Sequence, residues 1–245
     1  MNFLRRIVRP QSKEDEDLYY ELKELLNFKP IKLAYYKKAF THRSLKVVDK
    51  DGNPVNYERL EFLGDAMLGA VIASYLYKKV PKGTEGYLTQ MRSKIVSREH
   101  LNELGKDLDL IHFVKSNISK DHVGENIHGN IFEALIGAIY LDRGYNYCKQ
   151  FVFDKVIVPY VDIEKLEKKI TSYKGLIIEW CQKNKKKYKF ESYEDSGNQS
   201  VKHFSVKITI DGNMIAKGRS TSKKKAEEKA AKRVYYTLQD QIIGS

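Results

Sequence analysis

Tyr57-Glu58-Arg59-Leu60-Glu61-Phe62-Leu63-Gly64-Asp65-Ala66 opens a proline-free pattern that runs to about Lys79. Glu58, Glu61 and Asp65 stand at i, i+3 and i+7. At about 100° per residue they fall within roughly 60° of one another, on one helix face. Three like charges stacked this way repel. The neighbours Leu60, Leu63, Ala66, Met67 and Leu68 are apolar, so the acids border a core. Carboxylates beside a core are costly unless a cation or a hydrogen-bond network compensates them. A hard divalent cation such as Mg²⁺ does so, because it takes carboxylate oxygens while keeping several waters.

A second acid sits among apolar residues: Glu133, within Ile131-Phe132-Glu133-Ala134-Leu135-Ile136-Gly137-Ala138-Ile139. Glu133 must meet an arginine, a donor network or a metal there. Two acidic helices facing each other would make a site able to activate water and stabilise a phosphodiester leaving oxygen. Ion pairs of Glu61 or Glu133 with Arg59 or Arg92 account for the same residues equally well. His42, His100, His112, His122, His128 and His203 form no H-x-x-x-H pair and no Cys/His cluster, which argues against structural zinc.

Outward from these segments, residues 1–160 read as an all-α domain. Leu18, Leu22, Leu25 and Leu26 recur at helical spacing, and Tyr35 to Leu45 predicts a second helix. Asp49 to Pro54 is a loop by its turn residues. Pro81 to Gly86 interrupts the long pattern, and Thr89 to Leu104 resumes it with Gly105 as C-cap. Val114 to Gly129 reads as a loop, Ile131 to Leu141 as a helix, and Gln150 to Tyr160 as the closing segment. Residues 161–172 are a charged linker. Residues 173–240 form a small α+β domain in the order α-β-β-β-α: a helix from Tyr173 to Gln182, strands at Phe190 to Glu194, Phe204 to Ile210 and Met214 to Gly218, and a helix from Ala226 to Leu238. Asp211-Gly212-Asn213 is the hairpin turn.

The chain has 245 residues, which suits two domains. With 42% hydrophobic and 31% charged residues it is ordinary globular material, which excludes wholesale disorder. Its net charge of +12 points to a polyanion, nucleic acid before an anionic membrane surface. Residues 171–245 hold 16 of the 44 basic residues and 8 of the 32 acidic ones, so the smaller domain carries most of the surplus. No uninterrupted apolar stretch approaches the ~20 residues of a membrane-spanning helix. Met1 to Pro10 lacks a signal-like apolar region. Cys148 and Cys181 cannot form a disulfide framework. The expectation is a cytoplasmic protein with no membrane partner.

In the basic domain Ser222 is a natural N-cap, and Lys223, Lys224 and Lys225 fill the first turn behind it. Cations there oppose the helix dipole. The arrangement makes sense if the lysines and the exposed amides meet phosphates, reading shape rather than sequence. A run of lysines that merely keeps the protein in solution is the plainer alternative.

At these residues the chain resembles the ribonuclease III family. Tyr57 to Ala66 looks like its signature segment, Ala39-Phe40-Thr41-His42-Arg43-Ser44 resembles its upstream motif, and Asn130 to Asp142 its second acidic helix. The basic domain is similar to a double-stranded RNA-binding domain through Gly218 and Ser222 to Glu227. The resemblance implies an all-helical endonuclease unit that forms a homodimer. It further implies Mg²⁺-dependent hydrolysis of double-stranded RNA, with Mn²⁺ as a substitute. The products would carry 5′-phosphates and short 3′ overhangs, with ribosomal RNA precursors among the substrates. Carried over by position, Glu61, Asn130 and Glu133 hold metal, Asp65 and Glu133 are catalytic, and Glu58 is a supporting acid. Phe62 becomes the aromatic knob of the dimer, where ordinary core packing is the alternative. Ser222, Lys223, Lys224, Lys225 and Glu179 contact RNA.

Three positions depart from the family pattern. Asn130 stands where the family usually has Asp, which removes one negative charge and should weaken metal binding. Ile178 replaces the usual Gln before Glu179. Ser200 stands where a histidine is usual, with His203 next to Phe204. The Asn130 departure keeps open a second reading, a catalytically impaired double-stranded RNA-binding protein of the same fold. A basic ribosome-associated structural protein is a third.

Overall fold

The computed structural model describes residues 12–119, 124–168, 170, 172–195 and 203–243. The chain divides into two compact units, Met1–Glu167 and Lys168–Ser245. His122 and Ser200, both singled out in the sequence, lie outside the described residues, as do Met1 to Pro10 and part of the Val114 to Gly129 segment.

The first unit is helical. It comprises α1 (Lys13–Leu26), α2 (Leu33–Ala39), α3 (Glu58–Lys79), α4 (Glu85–Ile95), α5 (Arg98–Asp107), α6 (Ile127–Arg143), α7 (Tyr145–Val152), α8 (Val158–Tyr160) and α9 (Ile163–Lys168). Helices α3 and α6 pack on each other more extensively than any other pair. Leu68, Ile72 and Leu76 of α3 and Phe132, Leu135 and Ile139 of α6 are fully buried in the one core. Glycines let the two backbones touch. A Cβ on Gly64 would sit 1.7 Å from the Glu133 carbonyl oxygen, and one on Gly137 would sit 2.3 Å from that of Leu60. By length and composition α3 could cross a membrane. In the fold it is a core helix, with Leu60, Gly64, Leu68, Val71, Ile72 and Leu76 buried.

Four sequence expectations change in this unit. The predicted helix from Tyr35 to Leu45 is broken. It ends at Ala39, Thr41 pairs with Lys115 as an isolated bridge, and only a 3₁₀ turn, Arg43–Leu45, follows. The segment from Thr89 to Leu104 is two helices, because Ser97 breaks the chain's path and caps α5 through His100 N (3.4 Å). Gly105 is no C-cap. It lies inside α5, where a Cβ would come 2.2 Å from the His128 carbonyl oxygen. Helix α6 begins at Ile127, four residues before the apolar run suggested.

The expected linker is partly structured as well. Ile163 and Leu166 of α9 pack against the first core, and Lys94 Nζ donates to the carbonyls of Leu166 (2.8 Å) and Glu167 (3.2 Å).

The second unit contains α10 (Tyr173–Lys183), β1 (Tyr188–Asp195), β2 (His203–Ile210), β3 (Asn213–Ser220), α11 (Lys223–Thr237) and α12 (Gln239–Ile243). The strands form one antiparallel sheet in the order β1-β2-β3. Asp211 (φ 50°) and Gly212 (φ 84°) make the β2–β3 turn with both central residues left-handed, the conformation that matches the strand twist. The α-β-β-β-α order holds, with longer strands than expected and α12 added at the end. Helix α11 starts three residues early, at Lys223, because the Ser222 hydroxyl accepts from Lys225 N (3.3 Å). Ala226, Ala230, Ala231 and Val234 bury α11 against the sheet. A Cβ on Gly218 of β3 would meet the Ala226 carbonyl oxygen at 2.4 Å, which explains an alanine-rich helix at that crossing.

Candidate active site and RNA-binding surface

The stretch before α3 fixes how its acids are presented. The Thr41 carbonyl accepts from Tyr57 N (3.0 Å), tying the start of α3 to the end of α2. Asn56 accepts from Glu58 N (3.0 Å) and donates to Glu58 Oε2 (3.2 Å). Arg43 Nη1 reaches Glu58 Oε1 at 3.3 Å. Glu58 is therefore pinned at the rim by two partners. Glu58 and Glu61 also lie in the first turn of α3, where the helix dipole offsets part of their repulsion.

The close crossing of α3 and α6 puts Glu58, Glu61, Asp65, Asn130 and Glu133 on the walls of one cavity of about 560 Å³. Burial pushes the Glu133 carboxyl up to about 7, with Asp65 and Glu61 adding to the rise and Arg98 opposing it. Burial likewise raises Glu61, Arg98 opposes, and Glu58 and Asp65 reinforce. The cavity thus holds coupled, partly desolvated carboxylates short of positive charge.

The alternative partners look elsewhere. Arg59 lines a neighbouring cavity with Tyr35 and Leu141, which shares only Glu58 and Phe62 with the acidic one, and Arg92 lines another with Tyr77 and Glu85. Among the described residues neither forms an ion pair with Glu61 or Glu133. Asn130 bridges the two helices. With its amide nitrogen turned to Glu61 it donates to Glu61 Oε1 (3.3 Å) and to the Asn126 carbonyl (3.1 Å). In the opposite orientation its oxygen accepts from Arg98 Nη1 at 3.4 Å. The first orientation satisfies both ends of the amide and is the better one.

The donor set suits a hard cation. Among the described residues no three His, Cys, Asp or Glu side chains stand together as a ready-made chelate. Mg²⁺ needs only one or two carboxylates, because it keeps several waters, and Glu61 and Glu133 supply those from opposite walls. Phe62 lies at the same mouth and is 81% exposed, so core packing within one chain is ruled out.

Sequence reasoning missed Arg98, Arg43 and Asn56. Arg98 had one local signal, a cation on the first residue of a capped helix, where the dipole disfavours it. Asp142, at the end of the second acidic helix, has a structural task. Its carboxylate accepts from Ile31 N (2.9 Å), Lys32 N (2.7 Å) and Tyr36 Oη (2.9 Å), holding the start of α2 against the end of α6.

In the second unit Lys223, Lys224 and Lys225 are exposed on the first turn of α11, and Glu179 is exposed on α10. The acids of α11 are engaged elsewhere. Glu227 pairs with Lys174 (2.6 Å), and Glu228 accepts from Ser172 Oγ (3.1 Å) at the start of α10. The three lysines are left facing solvent.

Comparison with known proteins gives the class first. Residues 34–160 match the family model described as ribonuclease-III-like, and residues 173–238 match the double-stranded RNA binding motif. The chain is 63% identical over 242 residues to ribonuclease 3 of Zunongwangia profunda, covering 99% of this chain and 100% of that protein. It is 57% identical over 245 residues to ribonuclease 3 of Flavobacterium psychrophilum, covering all of both. A crystal structure of the nuclease domain of ribonuclease III from Campylobacter jejuni superposes with a TM-score of 0.51 at 28% identity, over 59% of this chain and 97% of that one. The chain belongs to the ribonuclease III family, and it is an endoribonuclease with a double-stranded RNA-binding domain.

Proposed function

We propose that this enzyme is a Mg²⁺-dependent, homodimeric endonuclease of double-stranded RNA in the cytoplasm. It would leave 5′-phosphates and short 3′ overhangs and process ribosomal RNA precursors among other duplexes. The carrying observation is that Glu61 and Glu133, from two different helices, line one cavity whose electrostatics call for a cation. Glu61 and Glu133 would hold the ion, and the Asn130 carbonyl oxygen would join them once the amide turns its nitrogen away from Glu61. Bound there, Mg²⁺ supplies Lewis-acid polarisation of the phosphodiester and a more acidic water. Asp65 orients water at the exposed edge, and Glu58, fixed by Arg43 and Asn56, keeps the rim acidic.

Lys223, Lys224, Lys225 and Ser222 would clamp RNA phosphates, with Glu179 beside the groove. Phe62, apolar and 81% exposed, supports a homodimer. A structure of the C. jejuni nuclease domain is described as showing flexibility in a region involved in dimer formation. Two buried free cysteines suit a reducing compartment.

Long duplex RNA incubated with Mg²⁺ tests the reading. The wild-type chain cleaves it, and Glu133→Ala abolishes cleavage while binding persists. Asn130 favours the second reading, an impaired enzyme that still binds duplex RNA. Intact RNA at every Mg²⁺ and Mn²⁺ concentration, with binding preserved, would establish that reading instead. Co-sedimentation with ribosomes and indifference to Glu133→Ala would mark a structural protein.

A further inference from the structure

We propose that Arg98 is a phosphate ligand of the catalytic cavity, seating the RNA strand against the acidic walls; the assignment rests on the duplex-RNA nuclease reading above. Among the described residues Arg98 is the only cation lining this cavity, whose charged walls are otherwise Glu58, Glu61, Asp65 and Glu133. An RNA strand brings a negative charge with every nucleotide, and those carboxylates repel it. A metal ion compensates the phosphate oxygens it touches; the remaining phosphate oxygens need a donor, and Arg98 stands in the same wall.

Three further observations fit a ligand role better than a structural one. Arg98 is exposed and is the first residue of α5, where a cation opposes the helix dipole, so it is not there to stabilise the helix. Its guanidinium is little used within the protein. Among the described residues its one hydrogen bond is the 3.4 Å contact from Nη1 to Asn130 Oδ1, and it makes no close ion pair. That contact disappears when the Asn130 amide turns to Glu61 and Asn126. The fork of five donors is then open to the cavity, and it matches two oxygens of one phosphate. Neutral Asn130 is part of the reason. An Asp at that position would face Arg98 with a full charge and tie it up.

The test uses the full chain and a duplex RNA. Binding is measured in Mg²⁺ in a Glu133→Gln background, so that the RNA stays intact, over a range of salt concentrations. Adding Arg98→Ala weakens binding about tenfold at low salt and makes the slope of log K against log salt shallower by about 0.9, the release expected for one lost phosphate contact. Arg98→Lys keeps the slope and regains only part of the affinity. With Glu133 intact, Arg98→Ala raises KM and leaves kcat within about twofold. A wild-type salt slope in Arg98→Ala, or a fall in kcat at constant KM, overturns the assignment while leaving the nuclease reading standing. Absence of duplex RNA binding by the Glu133→Gln chain overturns both.

Discussion

Glu133 concentrates the physics of the site at the residue scale. Its carboxyl titrates near 7 in the fold, against an ordinary value of 4.5. The folded chain therefore keeps a proton that the unfolded chain releases at lower pH. Folding takes up that proton between the two values, so stability falls as pH rises from about 4.5 through 7 and stays low above. Glu133→Gln removes this contribution and leaves the smaller one of Glu61. It should melt close to the wild type near pH 4.5 and about 2–4 °C higher at pH 8, measured by calorimetry without divalent ions. Mg²⁺ should raise the wild-type Tm at pH 8 more than that of the variant. A pH-independent difference between the two chains would mean that burial and the acids beside it do not hold the Glu133 carboxyl up. The acid itself was legible in the sequence, because a Glu inside an apolar run demands an explanation. Arg98, Arg43 and Asn56 were not, because what they touch lies 15–32 positions away or depends on the path of a loop.

The crossing of α3 and α6 carries the site at the element scale. Gly64 and Gly137 interlock the two backbones, and the facing carbonyls of Glu133 and Leu60 occupy the place a methyl group on either would need. Gly64→Ala should therefore destabilise the first unit by about 3 kcal/mol or more, through forced separation of the helices. Thermal unfolding of the variant measures it, and a loss below 1 kcal/mol would show that the crossing relaxes cheaply. The sequence placed both helices from apolar periodicity. It could not distinguish a glycine that ends a helix from one that lets another backbone approach, and Gly105 shows the ambiguity. The Ser97 break was missed for a related reason, since an N-cap signal inside a continuous pattern is weak until the backbone is seen to leave the helix there, with Ser97 extended at ψ 143°.

Charge is divided between the two units at the scale of the whole molecule. The acidic cavity lies in the first, and the solvent-facing lysine turn lies in the second. Replacing Lys223 and Lys224 together by Ala should weaken duplex RNA binding and reduce the salt slope by about two, leaving the melting of the first unit unchanged. An unaltered slope would return those lysines to the role of solubilising charge. If the proposed homodimer is held by Phe62, Phe62→Ala should sediment as a monomer at micromolar concentrations where the wild type sediments as a dimer. A wild-type dimer in that variant would remove Phe62 from the interface.

Sequence alone determined the two-unit organisation, the helical and α-β-β-β-α classes, the acidic face of α3 and the lysine turn. Each is written in local periodicity, capping chemistry and composition, which act over a few residues. Only the tertiary structure decided that Glu61 and Glu133 share a cavity, that Arg59 and Arg92 do not neutralise them, and that Arg98 faces the acids. Those facts depend on how closely two helix backbones approach and on which side chains a loop delivers to the gap. Side-chain packing sets both, and no short-range pattern encodes it.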